Sequence, residues 1–317
     1  MKTIVITGGT GYIAHFAIQE FLEKDYEVRA SVRTPKKGAQ LTKSLGNPEH
    51  FSTFCADLTS TEGWGDGLAD ADALLHLASP LGGENVIDTA VTGTLNVLDA
   101  AANSGVSRII LLSSEAASTG NRTTSGLVTE DFWANPADLD GYRLSKLKAE
   151  KVAWDFAESH GLMLTTILPG TVLGSAASAH NISTNSILLS LLTGELPFTV
   201  NADFDTTNVR DLACLMRLAL ENDASINQRY FAAGESIAMP EMARLLKGEY
   251  PEAKVTDTVL DDATVKATPE LADFLPMMGR SYHYTAEKAK RELGWMQATP
   301  EETVLEAAAS LKKEGLF

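Results

Sequence analysis

The sequence predicts an α/β fold in which a doubly wound parallel sheet is followed by a smaller, less regular C-terminal region. Two observations support this prediction. Strand and helix patterns alternate through the first half of the chain, and the first strand runs directly into a glycine-rich turn and a helix. The chain has 317 residues, which suits one large α/β unit or two closely joined domains. We expect a first domain over 1–170 and a second region over 171–317, partly woven back into the sheet.

The individual elements follow from local residue patterns. Short β-branched or apolar runs predict strands, and apolar residues at helical spacing predict helices. The predicted strands are 4–7, 27–32, 51–55, 73–77, 108–113 and 164–168. The helices predicted between them are 13–23, 38–45, 86–103 and 142–160. Further along, a loop is predicted over 175–187 and helices over 211–220, 239–246, 285–293 and 301–311.

The turn after the first strand is suited to binding the pyrophosphate of a dinucleotide. Gly8 allows the tight turn, Gly11 lets the backbone approach a pyrophosphate, and Ala14 keeps the helix close to the strand. The N-terminus of the helix then offers free N–H groups and the positive end of its dipole. The pattern is Gly-x-x-Gly-x-x-Ala rather than Gly-x-Gly-x-x-Gly. A plain strand–helix connector is the alternative, but the strand before the turn and the helix after it favour a nucleotide site.

The end of the second strand carries bases where an NAD site usually carries an acid. An Asp or Glu there would hold the ribose 2′-OH, but this sequence has Arg33 with Lys36 and Lys37 close by. A guanidinium binds a 2′-phosphate in a fork, and lysines add positive charge. A solvated basic turn is the alternative, although it is less expected in a chain of formal net charge −16. The sequence therefore favours NADP(H) over NAD(H).

Two more strand ends extend this predicted cofactor site. Asp57 and Leu58 follow the third strand and would flank the adenine, with a turn or N-cap aspartate as an equally weighted alternative. At the end of the fourth strand, Leu77 is followed by the small residues Ala78 and Ser79. Small side chains at this position let the backbone approach the cofactor ribose.

A Tyr-x-x-x-Lys pattern formed by Tyr142 and Lys146 begins an amphipathic helix after a strand that ends in Ser113-Ser114. Residues four apart lie on one face of a helix. Hydride transfer to a carbonyl leaves an alkoxide that needs a proton, which a tyrosine tuned by a nearby ammonium can supply. We expect Tyr142 to be the proton relay, Lys146 its tuner and a ribose ligand, and Ser114 the group that orients the carbonyl. The same spacing recurs beyond the predicted sheet at Tyr250…Lys254 and Tyr284…Lys288.

These motifs resemble those of the extended short-chain dehydrogenases/reductases. Within that superfamily they resemble the dihydroflavonol 4-reductase-like group, which includes cinnamoyl-CoA reductases and microbial aldehyde or ketone reductases. The resemblance covers most of the chain and is densest before residue 175. The matching segments include Thr7-Gly8-Gly9-Thr10-Gly11-Tyr12-Ile13, Val32-Arg33-x-Pro35, Ala56-Asp57-Leu58, His76-Leu77-Ala78-Ser79-Pro80, Tyr142-x-Leu144-Ser145-Lys146-x-x-x-Glu150, Pro169-Gly170-x-Val172-x-Gly174 and Arg291-Glu292-Leu293-Gly294-Trp295.

The resemblance implies a Rossmann fold, with 171–317 as the substrate-binding region. It also implies hydride transfer between a nicotinamide and a carbonyl, with Ser114, Tyr142 and Lys146 as the catalytic residues. The residues expected to contact NADP(H) are Thr7, Gly8, Gly11, Tyr12, Ile13, Arg33, Lys36, Lys37, Asp57, Leu58, Leu77, Ala78, Ser79, Tyr142, Lys146, Pro169, Gly170 and Val172.

Two positions depart from the pattern of the group. Ser114 is followed by Glu115 where the group usually has an apolar or small residue, so this carboxylate either marks a different substrate or points away. Flavonoid reductases carry a substrate-binding asparagine after the serine pair, with which Asn121 does not align cleanly, so a plant flavonoid is not implied. The residues predicted as substrate-pocket walls, although ordinary packing is the simpler interpretation of each, are Pro80, Leu81, Trp133, Thr171, Val172, His180, Phe198 and Phe204.

Three functions are compatible with these residues. The first is an NADPH-dependent aldehyde or ketone reductase that also runs in reverse as an alcohol dehydrogenase. The second is an NAD-dependent nucleotide-sugar epimerase or dehydratase, which Arg33 and the adjacent lysines disfavour. The third is a non-enzymatic NADP(H)-sensing module, a class that often loses the active tyrosine, whereas Tyr142 is present here.

Composition limits the partners and the location. A net charge of −16 argues against nucleic acid and anionic membrane surfaces, so we expect a small-molecule substrate. The resemblance implies a monomer or homodimer, because the segments 86–103 and 142–160 form a dimer interface in many relatives while single-chain members exist. There is no leader pattern, no membrane-length apolar run and no metal-ligand cluster, which predicts a cytoplasmic protein without a metal. Cys55 and Cys214 are predicted to be buried free thiols, and His76 to be a packed strand histidine.

Overall fold

The computed structural model describes residues 1–118 and 125–317, so Asn121 lies outside the described residues. The strands are β1 (Thr3–Ile6), β2 (Glu27–Val32), β3 (Phe51–Cys55), β4 (Ala73–His76), β5 (Arg108–Leu112), β6 (Ser125–Val128), β7 (Met163–Pro169), β8 (Thr171–Leu173), β9 (Thr199–Val200), β10 (Asp203–Asn208), β11 (Gln228–Ala232), β12 (Ser236–Ala238), β13 (Val259–Leu260) and β14 (Ser281–Tyr284). The α-helices are α1 (Tyr12–Glu23), α2 (Pro35–Ser44), α3 (Trp64–Leu68), α4 (Val86–Asn103), α5 (Gly141–His160), α6 (Ser186–Thr193), α7 (Val209–Glu221), α8 (Met239–Glu249), α9 (Asp262–Ala267), α10 (Glu287–Leu293) and α11 (Pro300–Lys313).

The central sheet has seven parallel strands in the order β11-β7-β5-β4-β1-β2-β3. Its inner strands are buried apolar runs, as expected when helices cover both faces; all five residues of β5 are buried. The chain order reverses between β1 and β4, which is where a doubly wound sheet forms a ligand crevice at the carboxyl ends of its strands. The predicted doubly wound α/β fold is therefore confirmed.

Helices pack on the two faces of this sheet through separate apolar cores. On one face α1 and α7 pack together, with Phe21 and Met216 among the buried side chains. On the other face α4 and α5 pack together, with Leu98 and Ala153 among them. The first turns of α1 and α5 both begin at the carboxyl edge of the sheet, which places their N-terminal residues around the crevice.

The C-terminal region contributes directly to the sheet. Strand β11 pairs with β7 in parallel, with Tyr230 opposite Ile167. It extends the sheet although β8, β9, β10 and the helices α6 and α7 lie between β7 and β11 in the sequence. The remainder forms its own apolar core, which includes Leu191, Phe204 and Met242. A division at residue 170 stays a prediction, but the two regions share strand pairing across it.

Several differences from the sequence prediction have clear physical causes. Helix α2 begins at Pro35, earlier than predicted, because Thr34 caps it and proline is favoured in the first turn. Cys55 was expected to be buried but is exposed, because it is the last residue of the edge strand β3; Cys214 is partly buried. Helix α6 begins inside the segment predicted as loop. In the described part of the chain, no helix is long and apolar enough to cross a membrane.

Candidate active site

The glycine turn between β1 and α1 has the close backbone contacts that a phosphate cradle needs. Gly8 has a φ of +70°, and a Cβ placed on it would lie 3.1 Å from the Ala78 Cα. Gly11 donates its N–H to the Gly8 carbonyl at 2.8 Å and is the N-cap of α1. Because Gly11 has no side chain to cap the helix, the first-turn N–H groups are left to a ligand, which fits a pyrophosphate.

Thr7 connects the carboxyl ends of β1 and β4. Its Oγ1 accepts hydrogen bonds from the N–H groups of Leu77 at 3.0 Å and Ala78 at 2.9 Å, and it lies 2.8 Å from His76 Nδ1. Because Oγ1 already accepts twice, its own hydrogen points to Nδ1, which is therefore unprotonated. Burial, aided by the charge of Lys146, lowers the pKa of His76 to about 3. His76 is a neutral, packed side chain that fixes this edge of the crevice.

The basic residues at the end of β2 are all exposed. Arg33 follows the strand, and Lys36 and Lys37 lie in the first turn of α2. Asp57 accepts hydrogen bonds from the Thr59 N–H at 2.9 Å and hydroxyl at 2.6 Å, and these bonds, together with the nearby charge of Arg33, lower its pKa. Asp57 therefore stabilises a turn close to Arg33, beside the predicted 2′-phosphate site.

Leu58 is held against helix α4. Its carbonyl accepts a hydrogen bond from Asn96 Nδ2 at 2.9 Å. A Cβ placed on Gly93 would lie 2.8 Å from the Leu58 Cβ, so a larger residue in the middle of α4 would push this loop away. The glycine that interrupts the helical pattern thus allows the predicted adenine-flanking loop to dock.

Ser114, Tyr142 and Lys146 come together at the carboxyl end of β5. Ser114 caps a short 3₁₀ turn over Glu115–Ala117, and its side chain shares a hydrogen bond with the Tyr142 hydroxyl. Tyr142 and Lys146 lie in the first turns of α5, with Lys146 Nζ 5.8 Å from the centre of the tyrosine ring. Nζ also donates to the Leu112 carbonyl at 3.4 Å, which ties the lysine to the end of the strand.

Burial dominates the protonation of this group. It raises the pKa of Tyr142 above 10, the charge of Glu115 raises it further, and the hydrogen bond from Ser114 opposes both. Burial also lowers the pKa of Lys146 to about 8, with Glu150 opposing the shift. The sequence predicts that Lys146 lowers the pKa of Tyr142; in the structure burial raises that pKa, and the opposing effect comes from Ser114.

A cavity of about 420 Å³ opens at this edge of the sheet. The predicted residues that line it are Tyr12, Ile13, Leu77, Ser79, Leu81, Ser114, Tyr142, Lys146, Pro169, Gly170, Thr171 and Val172. Among its other lining residues are Glu115, Arg143, Ser183, Thr184, Asp273, Pro276 and Met277. A second cavity of about 730 Å³ shares Tyr142, Arg143, Asp273 and Pro276 with the first. The two cavities therefore meet beside the tyrosine.

The other predicted substrate residues lie elsewhere. Pro80 is half-buried between two cavity-lining residues, and His180 is exposed. Phe198 and Phe204 pack in the C-terminal core. Trp133 lies under the guanidinium of an arginine on β11, with 3.8 Å between the ring centre and the Arg229 Cζ. Residues of the 3₁₀ helix Pro269–Met277, a segment for which the sequence predicts no element, line the cavity instead.

Behind the catalytic residues lies a buried ion pair. The side chain of Glu150 on α5 is fully buried and accepts from Arg229 Nε at 2.8 Å, Ser113 Oγ at 2.6 Å and Thr166 Oγ1 at 2.8 Å. Arg229 also donates to the Phe132 carbonyl at 2.8 Å and to Ser118 Oγ at 3.1 Å. This cluster, the Glu150 network, fastens β11 to the strand end and helix that carry the catalytic residues.

Comparisons with known proteins agree with this geometry. Residues 4–234 match the model of the NAD dependent epimerase/dehydratase family. The chain is 30% identical to cinnamoyl-CoA reductase CAD2 of Medicago truncatula over 99% of this chain and 96% of that protein. It is also 30% identical to an anthocyanidin reductase of Vitis vinifera over 90% of this chain and 92% of that protein.

Solved structures share the fold over the whole chain. Yeast methylglyoxal/isovaleraldehyde reductase Gre2, solved with NADPH, superposes with a TM-score of 0.83 at 24% identity, covering 99% of this chain and 100% of that one. At this identity the likeness concerns the fold. The family match and the two relatives place the chain in the NAD dependent epimerase/dehydratase family, that is, among the extended short-chain dehydrogenases/reductases of the dihydroflavonol 4-reductase-like group.

Proposed function

We propose that the chain is an NADPH-dependent aldehyde or ketone reductase, able to run in reverse as an alcohol dehydrogenase. The observation that carries the proposal is that Ser114, Tyr142 and Lys146 line one cavity beside the glycine turn. The reductase names of its relatives support the same reaction type, and the NADPH complex of Gre2 supports the cofactor. A small-molecule substrate fits the size of the cavity, while cytoplasmic location and a monomeric or homodimeric state stay predictions.

The residues present fit NADP(H). The glycine turn and the first turn of α1 would hold the pyrophosphate, and Arg33 with Lys36 and Lys37 would hold the 2′-phosphate. The loop at Asp57 would flank the adenine. Pro169, Gly170 and Val172 would lie against the nicotinamide. Leu77, Ala78 and Ser79, whose strand end is held by Thr7, would lie against the ribose. When bound, the nicotinamide supplies or takes up the hydride.

The protein side of the reaction is proton transfer and orientation. Tyr142 keeps its hydroxyl proton at neutral pH because burial raises its pKa, so it can donate that proton to the alkoxide formed during reduction. Ser114, already hydrogen-bonded to Tyr142, would donate to the same oxygen and hold the carbonyl in place. Lys146 would bind the ribose and favour the phenolate in the reverse, alcohol-oxidising direction.

The proposal is tested by following NADPH oxidation by absorbance with aliphatic, aromatic and keto-ester carbonyls, with NADH in parallel. We expect turnover of some carbonyls with NADPH preferred. The exposed basic residues at Arg33 argue against the epimerase alternative, which typically retains NAD. Copurification of NAD, with no turnover of any carbonyl, would contradict the reductase and favour that alternative.

A further inference from the structure

The residue after Ser114 is an acid in the wall of the cavity. Glu115 is the first residue of the 3₁₀ turn after β5, and it lines the cavity together with Ser114. Its carboxyl group lies against Gly170 on the adjacent strand end: a Cβ placed on Gly170 would be 3.0 Å from Glu115 Oε2. This oxygen is buried and has no hydrogen-bond partner in the part of the chain that the structure describes. An unpartnered buried polar atom is costly, so its place in a ligand cavity points to a ligand.

The charges around Glu115 come from three elements. Asp205 on β10 forms a buried ion pair with Arg280, which precedes β14, and Arg143 lies on α5. Burial and the charge of Asp205 raise the pKa of Glu115 well above its usual range, against the opposing effect of the two arginines. These effects favour the neutral, protonated carboxyl group, which can donate a hydrogen bond as well as accept one.

The acid also lies beside the group that would hold the reacting carbonyl. Glu115 and Tyr142 line the same cavity. Ser114, the partner of Tyr142, is the neighbour of Glu115 in the chain. A substrate whose carbonyl oxygen is bound by Ser114 and Tyr142 thus presents the atoms next to that carbonyl to Glu115.

From this arrangement, and resting on the proposed function, we propose that Glu115 determines substrate specificity: its carboxyl O–H donates a hydrogen bond to a second acceptor oxygen next to the reacting carbonyl. The favoured class is neutral carbonyl compounds with such an oxygen, for example keto esters. A cationic substrate is disfavoured by Arg143, Arg280 and Lys146 near this wall. The adjoining cavity carries charges of both signs, with the acids Asp138, Asp140 and Asp273 beside Arg143 and Arg280, so it offers no single-sign surface that would select an anionic substrate.

The test compares kcat/KM for a keto ester and for a ketone of the same chain length, with NADPH, in the wild type and three variants. The ratio of the two values cancels effects common to both substrates. Glu115→Leu removes the hydrogen bond, and we expect the ratio to fall about tenfold. Glu115→Gln keeps a donor, and we expect its ratio to stay within about threefold of the wild type. Glu158→Leu, an exposed control on α5, should leave the ratio unchanged.

A second measurement does not depend on the leucine variant folding. In the wild type the ratio should fall as pH rises through the pKa of Glu115, because the carboxylate can no longer donate; in Glu115→Gln it should stay constant. A ratio that is unchanged in Glu115→Leu, or equal pH profiles of the wild type and Glu115→Gln, would overturn the inference. So would a wild-type preference for an amino ketone that Glu115→Gln loses. Absence of turnover of both substrates would instead contradict the proposed function.

Discussion

Two glutamates lie on either side of the Ser113-Ser114 strand end, and they are partnered in opposite ways. Glu150, behind it, accepts hydrogen bonds from an arginine, a serine, a threonine and a tryptophan. Glu115, in front of it, has a buried oxygen without a partner among the described residues. A buried acid whose partners are all supplied by the fold serves stability and position, whereas one left short of a partner in a cavity is available to a ligand.

This contrast predicts that substitutions in front of the strand end, on the cavity side, alter turnover, whereas substitutions behind it alter the free energy of unfolding.

The largest effect is expected on turnover, from a substitution in front of the strand end. Tyr142→Phe removes the proton donor but keeps the ring, so turnover should fall by about 10²- to 10⁴-fold while NADPH affinity and the unfolding midpoint stay unchanged. Steady-state kinetics and cofactor fluorescence titration measure the two effects. Tyr250→Phe, which has the same Tyr-x-x-x-Lys spacing but lies at the end of α8, is the control. Unchanged turnover in Tyr142→Phe would refute the role assigned to the tyrosine.

Behind the strand end, Arg229→Met should act on stability first. The change leaves Glu150 buried without its cation, and the loss of one partner of a buried pair costs about 3–5 kcal/mol in free energy of unfolding. Urea unfolding followed by circular dichroism measures it. Arg244→Met breaks an exposed pair on α8, where a change of at most about 1 kcal/mol is expected. Equal effects of the two variants would show that the buried Glu150–Arg229 pair contributes no more to stability than an exposed pair.

His76, the last residue of the neighbouring strand β4, offers a pH test of stability. Its folded-state pKa of about 3 lies below the unfolded value near 6.5, so the unfolded chain binds the proton more tightly and stability is lost as pH falls below about 6.5. Between pH 7 and pH 5 this group should contribute a loss of about 2 kcal/mol. His76→Asn keeps a hydrogen-bonding atom for Thr7 but does not titrate, so its unfolding free energy should vary less over this interval. Identical pH dependence in both proteins would show that His76 is not the group responsible.

The smallest effect is expected where the site is exposed to solvent. Arg33→Asp should shift the ratio of kcat/KM for NADPH to that for NADH by about tenfold toward NADH, because it replaces a partner of the 2′-phosphate with a like charge. Lys43→Asp makes a charge change of the same sign in the last turn of α2 and should leave the ratio unchanged. If both variants shift the ratio equally, the effect comes from the net charge of the protein, and Arg33 does not determine the preference for NADPH.

Sequence predicts best what depends on local pattern. The bounds of α4 were predicted correctly because its apolar residues keep one face, and the positions of Tyr142 and Lys146 follow from helical spacing. Strand β11 was missed because it carries Arg229, whose burial depends on Glu150, 79 residues earlier in the chain. Trp133, predicted as a wall of the substrate pocket, instead stacks against Arg229 of the same network. Asp273 and Met277 lie on a 3₁₀ helix that is distant in sequence from the cofactor motifs, so only the tertiary fold identifies them as cavity residues.

The position of β11 also has a consequence for synthesis. Translation releases the other six strands of the sheet by residue 169, but the strand that covers the edge of β7 is complete only at residue 232. Until then the nascent chain presents an unpaired strand edge, and Glu150 lacks the arginine that neutralises it. The sheet formed by residues 1–169 can therefore complete its packing only after β11 has been synthesised. During this interval a chaperone that shields exposed strand edges would have most to protect.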